Sequence, residues 1–170
     1  MAASTASERR KPPLGIFDLH RMRMRCLPWD MDMFLEMNNG RILTLYDIGR
    51  FAMSQRVGLF EVLKREGWGL VVAGSTIRYR SRITAFQMFE MRTRLVGWDD
   101  KFFYIEQSMW RGETCCNHGL LRTGVTEKGR LAPTEKVAVA MGVTGPSPDL
   151  PPWVTAWIEG DATRSWPPEM

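Results

Sequence analysis

Soft-metal and disulfide chemistry has little to work with in this 170-residue chain, which carries three cysteines, Cys26, Cys115 and Cys116, and two histidines, His20 and His118. Two of the cysteines are adjacent, no C-x-x-C occurs, and neither histidine stands near a cysteine pair at ligand spacing. A disulfide framework has no basis here, and neither a metal nor a cofactor is expected. Free thiols fit a reducing, cytoplasmic setting. Also missing is any apolar run near the ~20 residues of a membrane-spanning helix. The first twelve residues, M-A-A-S-T-A-S-E-R-R-K-P, lack the apolar stretch of a secretory signal and read as a disordered tail. No membrane partner is expected. No recognisable RNA or DNA motif occurs either, and a net charge of +4 is too modest to name an anionic partner, so no nucleic acid is expected.

What is present is the composition of a folded domain. With 44% hydrophobic and 25% charged residues the chain lies outside the disordered class. At this length one core buries roughly two thirds of the surface of the unfolded chain. We place that domain at 13–145, with 146–170 as a C-terminal extension whose W-V-T-A-W-I-E segment, after a proline-rich connector, packs back on the domain or on a partner.

From Ile16 to Cys26 apolar and basic residues alternate, Met22, Met24 and Cys26 against Arg21, Arg23 and Arg25, which predicts a strand with one wet face. Asn38 or Asn39 can cap a helix whose apolar or small face is Ile42, Leu45, Tyr46, Gly49, Ala52 and Met53. Leu43, Ile48 and Phe51 widen that face, so the helix should be covered on most sides. Gly58 marks a break and Leu59 to Arg65 a further short helix. Four strands follow: Ser75–Ile83, the segment around Phe89–Leu95, Phe102–Trp110 and Cys115–Thr126. Short turns between them imply an antiparallel meander. Arg78, Arg80, Arg82, Arg92 and Arg94 read as the wet face of two adjacent strands, or some of them as contacts for the phosphates of a ligand. The fold class is α+β, a sheet of about five strands around one long helix.

Chemistry concentrates in W-D-M-D-M-F-L-E-M-N-N-G-R, Trp29 to Arg41, where three carboxylates stand among apolar side chains. Desolvating a carboxylate is costly, so each reaches solvent, receives hydrogen bonds or is held for reaction. Asp30 reads as a turn-stabilising or solvated acid. Asp32 is either a loop cap, an arginine partner or a base, and Glu36 either a base or a complement to the positive helix terminus. Asn38 and Asn39 are caps. Gly40 lets a ligand approach backbone amides that the helix leaves unpaired. His118 and His20 read as satisfied histidines without an acidic partner close in sequence. Asp47 and Arg50 read as a helix-surface or interface pair.

D-M-D-M-F-L-E-M-N-N-G-R-I-L-T-L-Y-D-I-G-R resembles the D-x-D-x-x-x-H-x-N-N-x-x-Y-L stretch, with its later D-x-x-R, of hot dog fold acyl-CoA thioesterases. These are 4-hydroxybenzoyl-CoA thioesterase-like proteins, here of the THEM6-like branch. G-S-T-I-R-Y-R-S-R-I and R-T-R-L-V-G-W-D-D-K-F-F-Y-I-E-Q resemble the same branch, and together they cover Met22 to Thr126. The resemblance implies a thioester hydrolase acting on acyl-CoA or an acyl carrier protein thioester. It also implies a homodimer whose sheets join, or a tetramer of such dimers. Asp32 falls on the family's base or nucleophile, and Glu36 stands where relatives have His. The implied carbonyl donors and substrate contacts are Asn38, Asn39, Gly40, Ser75, Arg78 and Arg80. A catalytically silent acyl-CoA or acyl-group binding protein of the same fold is the alternative that Glu36 raises.

Overall fold

A computed structural model of the chain describes residues 11–169. The tail expected at 1–12 therefore lies, but for its last two residues, outside the described residues. The chain begins with β1 (His20–Arg25), where Met22 is buried and the arginines face solvent. Leu27 and Pro28 turn it into a single 3-10 turn, Pro28–Asp30. α1 (Asn39–Arg56) starts at the N-cap Asn38, whose side-chain oxygen accepts from the Gly40 and Arg41 amides. Gly58 and Gly67, both in the left-handed region, bound α2 (Leu59–Glu66). Then come β2 (Gly69–Tyr79), β3 (Met88–Trp98), β4 (Phe103–Arg111), β5 (Thr114–Glu127) and a two-residue β6 (Arg130–Leu131). Two helices, α3 (Thr134–Ala140) and α4 (Pro152–Ala162), close the chain.

Among the described residues all strands join one antiparallel sheet of order β1-β3-β4-β5-β2, with β6 on β5. Its concave face holds α1: Ile42, Leu45, Tyr46 and Ala52 pack with Met22, Phe89, Met91, Met109 and Leu121. Burying each such side chain is worth about 1.5–3 kcal/mol. The approach is closest at Gly49, where an added Cβ would lie 2.6 Å from Met91 Cε and 3.0 Å from Gln107 Nε2. The helix presses on the sheet there because no side chain intervenes.

Four expectations need correction. The second strand runs Gly69–Tyr79 rather than Ser75–Ile83; its G-L-V-V-A-G start has no alternation to announce it, since this stretch lies on an edge and is exposed on both faces. Ile83 is reached by a loop and is still buried. Only β3, β4 and β5 form a meander, because β2 pairs with β5 across the sheet, Gly69 opposite Thr126 and Tyr79 opposite Asn117. β4 and β5 stand between β2 and β3, so the arginines of β2 and β3 are not the wet face of two adjacent strands. Nor is α1 covered on most sides: Leu43 and Phe51 are exposed, Phe51 stacking on Phe60 of α2.

The convex face is covered in part by α4, whose Val154 packs with Tyr104 and Leu120 while Asp161 pairs with Arg122 at 2.6 Å. Of the two places expected for this segment, its own domain or a partner, the helix here lies on its own domain. Next to it Glu106 binds His118 Nε2 at 2.7 Å and Arg94 Nε at 2.6 Å. The His118 hydrogen bond, ahead of the opposing effect of burial and aided by Arg94, holds the Glu106 carboxyl below its usual range. A carboxyl depressed in the fold contributes stability above its unfolded value of 4.5, and that contribution is lost as pH falls through the folded value. Glu106→Gln is therefore expected to lower the urea midpoint at pH 7 and to flatten its further fall below about pH 4.5. Parallel acid profiles for both proteins would contradict this.

Among the described residues no helix is long and apolar enough to cross a membrane, and no group of three or more His, Cys, Asp or Glu is placed to hold a metal ion.

Candidate functional site

The acidic stretch resolves into three carboxylates with three different environments. Asp30 is 3% exposed, accepting from the Leu27 amide at 2.8 Å and from Arg41 Nε at 2.6 Å. It is a turn-stabilising acid, but a buried one, paired with the first turn of α1. Asp32 is half-buried; its Oδ1 accepts from the Phe34 amide at 2.8 Å and its carbonyl from the Leu35 amide at 3.1 Å. That tight turn puts Leu35 at φ 59 and leaves Met33, Phe34 and Leu35 exposed. Glu36 turns the other way, pairing with Arg82 Nε at 2.9 Å.

Glu36 borders a cleft of about 210 Å³ made by four parts of the chain. The acidic loop supplies Glu36 and Met37, and the start of α1 supplies Asn39 and Ile42. The end of β2 and the loop after it supply Tyr79 to Ile83, and β5 supplies Asn117. The loop after β2 is held against the acidic loop by the Met37 amide donating to the Ile83 carbonyl at 2.8 Å, and against β5 by the Arg80 amide donating to the Cys116 carbonyl at 2.8 Å. Burial pushes the Tyr79 phenol up, so it stays protonated at neutral pH.

Of the expected site residues, the fold brings Glu36, Asn39 and Arg80 together on this cleft. Asn38 is the cap, and by capping it occupies the Gly40 amide at 2.8 Å and the Arg41 amide at 3.3 Å. Among the described residues the Asn39 amide is thus the first-turn donor left without a protein partner. Asp32, Ser75 and Arg78 are not among the residues lining the cleft; Ser75 and Arg78 are exposed on β2. Sequence reasoning weighed Arg82 only as one of five arginines, some of them able to bind phosphates, and missed Tyr79 and Asn117 as site residues. Arg82 and Tyr79 stand on a stretch read as one continuous strand, and Asn117 had only its place in the last strand to mark it.

A second, more apolar cavity of about 170 Å³ lies between α1, α2 and the start of β2, bordered by Phe51, Phe60, Leu70 and Val72 and by the Asp47–Arg50 pair. Arg50 reaches inward to Gln107 Oε1 at 2.7 Å, and burial lowers its guanidinium to about 10. The pair, expected at the helix surface or at an interface, has Arg50 turned inward and Asp47 exposed.

A strongly curved antiparallel sheet wrapped on one central helix, with a cleft at the start of that helix, defines a hot dog fold protein. The chain belongs to the thioesterase-like superfamily, whose family model matches residues 26–158. It is similar to Protein THEM6 of Xenopus laevis, 49% identical over 81 residues, which are 48% of this chain and 39% of that protein. The match thus spans about two fifths of the relative's length. In fold it resembles YbaW, a probable thioesterase from Escherichia coli, with a TM-score of 0.67 at 13% identity over 71% of this chain and 95% of that one. It also resembles SAV2348 from Staphylococcus aureus, solved in complex with CoA, with a TM-score of 0.64 at 11% identity over 83% of this chain and 94% of that one.

Proposed function

We propose that the chain is an acyl-CoA thioesterase whose reaction takes place in the cleft at the start of α1. The observation that carries this reading is the meeting, in one cleft, of a carboxylate, Glu36, and an unpaired amide at a helix N-terminus, that of Asn39. Glu36 takes a proton from water as the water oxygen attacks the thioester carbon. The carbonyl oxygen becomes an oxyanion and is met by the Asn39 N–H at the positive end of α1. Collapse breaks the C–S bond, and the proton on Glu36 passes to the departing sulfur, leaving a carboxylic acid and CoA thiol. A thiol of ordinary pKa about 8.5 needs little more help to leave. Arg80 and Arg82, at the rim, suit the phosphates of CoA. Asp32 shapes the loop that presents Glu36.

The exposed edge of β2 supports a homodimer. Leu70, Val71 and Val72 are 43%, 40% and 55% exposed on a strand with one side unpaired, the arrangement that folds normally cover. Antiparallel pairing of two such edges would set the apolar cavity of one protomer beside the Tyr79 end of its partner, giving the acyl group an apolar wall.

The reading is tested by incubating the purified protein with short, medium, long-chain and aromatic acyl-CoAs and measuring CoA release. Turnover of at least one class is expected, and a folded protein that releases none contradicts it. The alternative, a silent acyl-CoA binder, draws on the Glu36–Arg82 pair, which occupies the base; it requires thermal stabilisation by acyl-CoA without release.

A further inference from the structure

Asn117 is 2% exposed, yet its side chain borders the cleft. Its Oδ1 accepts from the Tyr46 hydroxyl at 2.6 Å. That separation fits O–H···O and is short for N–H···O, so the carbonyl side of the amide faces Tyr46 and the nitrogen faces away from it. Among the described residues Nδ2 has no protein acceptor. Nδ2 is not fully enclosed, and with no protein acceptor it opens on the cleft that Asn117 borders, where a ligand oxygen can accept from it. The position is also firmly built. Asn117 lies on β5 between Tyr79 and Met109, and Tyr46 is wholly buried between α1 and the sheet, its hydroxyl also 3.2 Å from the Gln107 carbonyl. Burial pushes the Tyr46 phenol far up, so it remains a donor throughout the working pH range and holds the amide in one orientation.

From this geometry we infer that Asn117 is a catalytic residue, its Nδ2 donating to the thioester carbonyl oxygen together with the Asn39 amide, and that Tyr46 is the positioning residue that aims it. The inference rests on the thioesterase reading given above. It assigns two donors from different elements, one on α1 and one on β5, to the charge that develops on one oxygen. No single helix terminus then has to carry it.

The test uses Asn117→Asp, which keeps the acceptor for Tyr46 and removes the donor, Asn117→Ala, and Tyr46→Phe, which keeps the ring and frees the amide. Removing one such donor lowers kcat by about 10²–10³-fold, so both Asn117 variants are expected in that range with KM changed far less. Tyr46→Phe is expected to lose about tenfold, the donor being present but no longer aimed. An independent readout needs no turnover: an acyl-CoA ketone analogue, with methylene in place of the thioester sulfur, is bound and its carbonyl stretch recorded by infrared spectroscopy. The wild-type band should lie below its position in water, and Asn117→Asp should return it toward that position. Wild-type kcat and an unmoved band in Asn117→Asp overturn the inference while leaving the hydrolase reading intact. A wild type that releases no CoA overturns the hydrolase reading, and the infrared band then decides the donor on its own.

Discussion

Glu36→Gln is expected to reduce kcat for acyl-CoA hydrolysis by about 10²–10⁴-fold, the range for removal of a general base, with little change in KM. Glutamine keeps the size of the side chain and an oxygen for Arg82, 2.9 Å away, so the loop and the cleft should stand. What disappears is the group that takes the proton from water. Asp32→Asn provides the control within the same loop. Its Oδ1 accepts from the Phe34 amide, a role an asparagine oxygen fills equally, so its kcat should stay within about tenfold of wild type, less than the effect expected of a lost base. Steady-state kinetics on both variants decides the matter. A collapse with Asp32→Asn and near-normal turnover with Glu36→Gln would exchange the two roles and move the reacting carbon away from Arg82.

The largest loss of stability should follow Gln107→Leu. Gln107 is wholly buried under α1, and all of its polar atoms are in use. Oε1 accepts from Arg50 Nη1 at 2.7 Å, and Nε2 donates to the Tyr46 carbonyl at 2.9 Å and to Thr93 Oγ1 at 3.0 Å. Leucine fills a similar volume but leaves the Arg50 guanidinium inside the protein with Asp47 as its one remaining anchor. Each buried polar group left unsatisfied costs about 1–3 kcal/mol, more for a charged one, and the Arg50 guanidinium, the Tyr46 carbonyl and the Thr93 hydroxyl all lose a partner. For a chain of this length each kcal/mol moves the thermal midpoint by about 2–4 °C, so a fall on the order of 10 °C or more is expected by calorimetry. Burial already disfavours the Arg50 charge, which is why its pKa falls to about 10; the cost is present at neutral pH and is relieved only as pH rises through that value. A double variant with Arg50→Met should recover part of the loss, since it removes the stranded charge. No recovery would show that Gln107 acts through packing alone.

Much of this architecture was legible because periodicity follows burial. β1 alternates since one of its faces meets α1, and α1 shows its 3,4 spacing since one side meets the sheet. Asn38 declared the start of the helix by being the residue type that accepts from the first-turn amides. β2 was misjudged for the converse reason. An edge strand exposed on both faces has no pattern to display, and its pairing with β5 links residues about forty to sixty positions apart in sequence, a fact no local window holds. The site divides in the same way. Glu36 and Asn39 were visible as chemistry placed beside a helix start, whereas Arg82 and Asn117 reach the cleft only through the loop after β2 and the register of β5. His118 shows the limit plainly: its partner Glu106 is twelve residues away, on the neighbouring strand and diagonally across the ladder.

The buried thiols bear on how release of CoA is followed. Cys26 and Cys116 are sealed in the core, and desolvation pushes both thiols up, so in the folded state neither offers a thiolate to an alkylating or disulfide reagent. Cys115 is partly accessible, but burial raises it as well and its sulfur already lies 3.4 Å from the Asn117 carbonyl. A colorimetric thiol reagent therefore meets a nearly silent protein background while the chain is native. Slow growth of that background, proportional to protein and indifferent to acyl-CoA, gauges the fraction of molecules that have come open.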